Sequence, residues 1–197
     1  MNKDENFTIF FISVILLVIL FIHFNNKYKD VEYNVSSIDG RKYLVQNHSD
    51  KQQAADLLAT IRKNLILVVQ ELSKTNKDNA DIKRMVNNFN PDNITESDEN
   101  SKYTSYSVNK GEKMVFCIRT RDADNKLEDL NTMMFVALHE LAHTMTKSIG
   151  HTKEFWNNFR IILRNARKLG VYKRVDYNKT PKSYCGTMIT DDPENFS

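Results

Sequence analysis

The segment His139-Glu140-Leu141-Ala142-His143, followed by His151, gathers three potential metal ligands and one potential general base within 13 residues. On an α-helix, positions i and i+4 lie about 40° apart, so His139 and His143 project from one face and can share a single Zn²⁺. Glu140 stands beside that face. A carboxylate there can take a proton from a water that a zinc ion has acidified, which is the chemistry of metal-assisted amide hydrolysis. A purely structural zinc would require a fourth protein ligand, and no Cys or His with suitable spacing lies nearby. Three ligands leave the open coordination position that hydrolysis needs, so the leading reading is a zinc peptidase.

These side chains need a helix to hold them. Leu130 to Leu138 leads straight into the motif, and Met134, Leu138, Leu141 and Met145 recur at three- and four-residue steps as one buried face, leaving both histidines off that stripe. Gly150 is expected to end the helix immediately before His151 and to turn the third imidazole back toward the same ion. Glu154 is also within reach of that turn, either as the third ligand in place of His151 or as a partner that orients an imidazole. Beyond it, Thr152 can cap a helix carrying Phe155, Trp156, Phe159, Ile162, Leu163, Ala166 and Leu169, which stops at Gly170 with Val171 placed for a Schellman contact.

Upstream, Val31–Val35 and Arg41–Val45 flank Asp39-Gly40 as a β-hairpin. Ser49 with Gln52 has the form of a capping box. Ala54, Leu57, Leu58, Ile61, Leu65, Val68, Val69 and Leu72 then mark a long amphipathic helix that would back a sheet. A shorter helix is expected over 81–89, a polar exposed loop over 92–101, and two strands over 103–108 and 113–119 joined around Asn109-Lys110-Gly111. The stretch 172–197 lacks a long periodic segment and reads as an irregular tail. It holds Tyr172, Tyr177 and Tyr184, any of which could donate to the oxyanion formed when water attacks a peptide carbonyl. Tyr184 is favoured among them because Gly186 allows a tight turn nearby.

The stretch His139 to Phe159, HELAHTMTKSIGHTKEFWNNF, resembles the active-site segment of the WLM and SprT-like zincin metallopeptidases. In those families a HELxH helix is followed by a glycine or turn, a third His and an aromatic pair such as Phe155-Trp156. The resemblance implies Zn²⁺ held by His139, His143 and His151, Glu140 as general base, and a compact minimal-zincin fold. It departs in one respect: seven residues separate His143 from His151, more than those families commonly have, so the turn is longer here. In zincins the strand before the active-site helix lines the cleft. The resemblance therefore assigns Met114 to Arg119 the capacity to bind an extended peptide as an added strand, beside the plainer reading of an ordinary sheet strand. Gly170-Val171-Tyr172-Lys173, Asp176-Tyr177 and Tyr184-Cys185-Gly186 also resemble small metallopeptidase-like proteins of large DNA viruses and their hosts.

The expected architecture is α+β: a zincin-like domain over 30–197, with a small sheet, a backing helix, an active-site helix and a C-terminal helix, behind an N-terminal segment 1–29. Residues 7–24 in that segment form an apolar run broken only by Thr8, Ser13 and His23. Eighteen helical residues rise roughly 27 Å, which is read here as a single transmembrane anchor. Lys27, Lys29, Arg41 and Lys42 against Lys3 lean the catalytic domain toward the cytoplasmic side. Cys117 and Cys185 read either as separate thiols or as a pair if geometry allows. A formal charge of +3 gives little support for a nucleic-acid partner. The partners expected are a protein or peptide substrate and a membrane. A non-catalytic, membrane-tethered peptide-binding module is the competing function, although it has no need of Glu140.

Overall fold

The computed structural model describes residues 3–27 and 30–195, and leads from an N-terminal helix into an α+β domain. Helix α1 (Lys3–Lys27) overturns the expected anchor: among the described residues no helix is long and apolar enough to cross a membrane. Its apolar run over 7–24, broken by Thr8, Ser13 and His23, rises roughly 27 Å against the about 30 Å of a bilayer core. The transmembrane helix, the single-pass localisation with its cytoplasmic lean, and the membrane as partner are withdrawn together. The expected segment boundary at residue 29 lies outside the described residues.

Strands β1 (Val31–Val35) and β2 (Lys42–Gln46) form the expected antiparallel hairpin, with Val31 opposite Gln46 and Val35 opposite Lys42. Helix α2 (Lys51–Thr75) buries Ala54, Leu58, Ile61, Leu65, Val68 and Leu72 as its apolar spacing predicts. Truncating a fully buried leucine such as Leu58 or Leu65 to Ala would cost about 2–5 kcal/mol. The capping box does not form. Asp50 is the N-cap and makes no side-chain cap bond; its carboxylate accepts from Arg119 Nη1 at 2.7 Å instead. Gln52 donates to Val35 O at 3.1 Å.

Helix α3 (Ala80–Asn88) is capped by Asn79, whose side chain accepts from the Asp81 and Ile82 amides. The polar stretch after it is not an open loop. It contains strand β3 (Ile94–Glu96), which lies parallel to β5 (Lys113–Phe116), while β4 (Tyr106–Val108) lies antiparallel on the other side of β5. Polarity misleads here because the buried Glu96 finds partners far along the chain: it accepts from Arg119 Nε at 2.8 Å and from the Gln46 amide at 2.7 Å. The order β3-β5-β4 also corrects the cleft assignment. Both sides of β5 are paired, the edge strands are β3 and β4, and it is the β4 edge that lies against α4.

The β4–β5 turn places Asn109 at φ 46° and Lys110 at φ 60°, and closes on Gly111 at φ 124°. Gly111 is required: a Cβ there would stand 2.7 Å from Asn88 O, in a conformation that side chains rarely adopt.

Helix α4 (Leu130–Met145) is capped by Asp129, which accepts from the Thr132 amide at 2.9 Å, and it is buried along nearly its whole length. It ends at Met145, earlier than Gly150. Thr146 turns extended as C-cap, and both its amide, at 3.0 Å, and its hydroxyl, at 2.7 Å, donate to Ala142 O. Helix α5 (Lys153–Lys168) starts on Thr152 and ends in the expected Schellman pattern, with Val171 N–H donating to Ala166 O and Gly170 N–H to Arg167 O, each at 3.0 Å. The C-terminal stretch is more ordered than expected. Strands β6 (Lys182–Tyr184) and β7 (Thr187–Ile189) form a hairpin, followed by a 3₁₀ turn over Pro193–Asn195. A Cys117–Cys185 disulfide ties that hairpin to the end of β5 across 68 residues of sequence.

Candidate active site

Helix α4 carries His139 and His143 one turn apart, and their Nε2 atoms stand 3.3 Å from each other. The connection 146–151 returns the chain so that His151 Nε2 lies 3.0 Å from His139 Nε2. The ligand atoms of all three residues lie within 4.8 Å of one another. A tetrahedral zinc with nitrogen ligands at about 2.0–2.1 Å requires ligand separations of about 3.3 Å, and the two separations from His139 stand close to that value. Three facing nitrogens also exceed what neutral imidazoles can satisfy by hydrogen bonding among themselves, since each ring has one N–H.

Burial pushes the His139 imidazole well below its ordinary value, with His143 and His151 adding to the effect. His143 falls to about 4, first through burial and then through His151 and Lys110. Both rings are thus neutral near pH 7, the form that ligates a metal. Aromatic residues of α5 hold them in place. Phe155 packs 4.9 Å from the His139 ring and 4.4 Å from the His143 ring, and Phe159 meets His139 edge-on at 5.3 Å.

Glu140 is buried beside the histidines, and burial raises its carboxyl to about 7 against the opposing influence of the Ser107 backbone amide. Its side chain shares with the three histidines a cavity of about 590 Å³. One wall of that cavity is the edge strand with its approach, including Ser105 and Tyr106; another is the β6–β7 hairpin, through Met188 and Ile189. Of the hairpin, sequence reading points only to Tyr184; it does not assign β4 to the cleft, although Asn109-Lys110-Gly111 marks the turn that follows that strand.

Glu154 does not join the histidines. Its two carboxylate oxygens accept from the Lys147 amide at 2.9 Å and the Ser148 amide at 3.1 Å, and these bonds hold its carboxyl down at about 2. Tyr184 lines the cavity, but its hydroxyl donates to Cys117 O at 2.7 Å and lies 2.6 Å from Ser105 Oγ. Tyr172 and Tyr177 are buried; the Tyr172 hydroxyl accepts from the Val175 amide at 3.3 Å, and Tyr177 bonds to Thr132. All three tyrosines are engaged in the fold.

The family model of the WLM domain matches residues 37–195. An uncharacterized protein of Acanthamoeba polyphaga mimivirus is 31% identical over 187 residues, covering 92% of this chain and 94% of its own. Another, of Invertebrate iridescent virus 6, is 28% identical over 146 residues, covering 73% and 79%. Among solved structures, Wss1 from Saccharomyces cerevisiae superposes with a TM-score of 0.48 at 20% identity, over 64% of this chain and 86% of that one.

Proposed function

The chain belongs to the WLM domain family, and from that premise we propose that it is a zinc-dependent metallopeptidase. In this reading residues 30–197 are the catalytic unit, His139, His143 and His151 hold the metal, and Glu140 is the general base. The observation that carries it is the convergence of three imidazole nitrogens beside a buried carboxylate in one cavity. Zinc, when bound, would polarise the scissile carbonyl and acidify water.

The chain's own groups do the rest. Phe155 and Phe159 fix the imidazole planes, so the nitrogens stay aimed at one point. Glu140 takes the proton of the attacking water and passes it to the leaving amine, with the Ser107 amide directed at its carboxylate. Strand β4 is paired with β5 on one side among the described residues, and an extended substrate can add to its other edge along the cavity. Tyr184 is retained as the candidate partner of the oxyanion, a role that requires its hydroxyl to give up Cys117 O.

The test is Glu140→Gln in the purified full chain, with zinc content measured by metal analysis and cleavage followed on an unfolded protein substrate. We expect zinc to be retained and cleavage to fall by at least ~10²-fold. Unchanged cleavage would remove Glu140 from the mechanism. A zinc-loaded wild-type chain that binds the substrate and leaves it intact would identify a binding module instead.

A further inference from the structure

Helix α4 stops at Met145, so the metal centre depends on how the connection 146–151 presents His151. That connection has little apolar anchorage of its own. Ile149 is 90% exposed, and Gly150, at φ +80°, has nothing within 4 Å of where a Cβ would stand. His151 is itself exposed. Its ring meets Phe155 at 4.7 Å and Trp156 at 5.6 Å, and the backbone that delivers it there is held by polar groups on two sides.

On one side stands Lys110, whose Nζ donates to Thr146 O at 2.7 Å, Lys147 O at 3.2 Å and Ser148 O at 2.7 Å. An ammonium group has three donors, and all are spent on consecutive carbonyls of the connection. On the other side, the Glu154 carboxylate accepts from the Lys147 and Ser148 amides. Ser148 Oγ also lies 2.6 Å from Thr152 Oγ1, the cap of α5. The carbonyls go to a cation and the amides to an anion, so the peptide planes of this segment are oriented from both edges. Lys110 is itself aimed by a constrained turn, since it and Asn109 adopt positive φ and Gly111 fits against Asn88 O only without a side chain.

We propose that Lys110 is a positioning residue of the metal centre: with Glu154 opposite, it fixes the connection 146–151 so that His151 meets the two nitrogens supplied by α4. This rests on the reading of the three histidines as metal ligands. Lys110 lines the cavity, yet its donors are committed to the backbone, so its positioning acts through His151, apart from the effect of its charge on His143.

The experiment uses the purified, metal-free full chain. Zn²⁺ affinity is measured by competition with a chromophoric chelator, and site geometry by the visible absorption of bound Co²⁺. The variants are Lys110→Met, Glu154→Gln, His151→Ala and the double variant Lys110→Met/His151→Ala, with cooperative unfolding as the check on folding. Lys110→Met is expected to weaken zinc by about 10–100-fold, the range for groups that orient a ligand, and to alter the Co²⁺ bands. Glu154→Gln is expected to act in the same direction and answers the question should Lys110→Met fail to fold. With His151→Ala already present, Lys110→Met should cost no further affinity, because its effect is exerted through that imidazole. Folded Lys110→Met with wild-type affinity and spectrum overturns the proposal, as does an undiminished loss in the His151→Ala background. A wild-type chain that takes up neither ion overturns the ligand reading beneath it, a separately recognisable result.

Discussion

The Glu96 carboxylate and the Arg119 guanidinium meet at 2.8 Å with side-chain exposures of 0% and 3%, and this pair joins β3 to the chain that follows β5. Removing one partner strands the other away from water, which costs about 3–5 kcal/mol for a buried ion pair. Arg119→Met should therefore lower the urea midpoint by the equivalent of that loss at unchanged m-value. A loss below about 1 kcal/mol would show that the pair is well hydrated in solution.

The disulfide between Cys117 and Cys185 closes a loop spanning 68 residues of sequence. Loop-closure entropy alone assigns such a link about 4 kcal/mol. Cys117→Ala/Cys185→Ala should lower the denaturation midpoint correspondingly, with equilibrium unfolding as the readout. An unchanged midpoint would mean that the hairpin is held by its other contacts.

Glu154 supplies a pH dependence whose sign is fixed by its lowered carboxyl, held at about 2 chiefly by the Lys147 amide and then by Ser148. Such a group contributes stability that is fully present above its ordinary value near 4.5 and is lost as pH falls toward about 2. The difference in melting temperature between wild type and Glu154→Gln, both free of metal, should be present at pH 6 and shrink between about pH 4.5 and 2. A difference constant across that range would detach Glu154 from the connection it is seen to hold.

Adding zinc to the metal-free chain should raise its melting temperature, since a ligand that binds only the folded state stabilises it by mass action, about 2.7 kcal/mol at a hundredfold excess over the dissociation constant. Chelation should reverse the shift, and His143→Ala should abolish most of it. Scanning calorimetry with and without zinc checks both statements. Equal shifts in the variant would point to a different metal site.

Gly111→Ala should destabilise the chain by about 1–3 kcal/mol, because the added carbon meets Asn88 O at 2.7 Å at a φ of +124°. Thermal unfolding decides it. A neutral outcome would show that the turn has room to move away from α3.

What could be read in the sequence was what local periodicity carries. His139, Glu140 and His143 fall on one helix turn by arithmetic, and the α5 face from Phe155 to Ala166, with its Gly170 stop, needs no distant information. What could not be read was set by partners far along the chain. Ile94-Thr95-Glu96 looks like loop until Phe116 and Arg119 come alongside. Ser49 and Gln52 suggest a cap, but the N-cap is the next residue, Asp50, whose carboxylate answers Arg119 across 69 positions. The end of α4 at Met145 is settled in part by Arg84, whose Nη1 donates to Met145 O at 2.7 Å, and by Lys110 just beyond it. Tyr184 was singled out for its nearby glycine, and the structure shows that neighbourhood to be a disulfide-tied turn in which Cys185 adopts φ 47°.

The β6–β7 hairpin makes the cavity a joint product of two separate stretches of chain. The three imidazoles all come from residues 139–151, whereas Tyr184, Met188 and Ile189 reach the same cavity from beyond α5. Folding alone brings the two stretches together, and the Cys117–Cys185 bond fastens the second of them to the sheet.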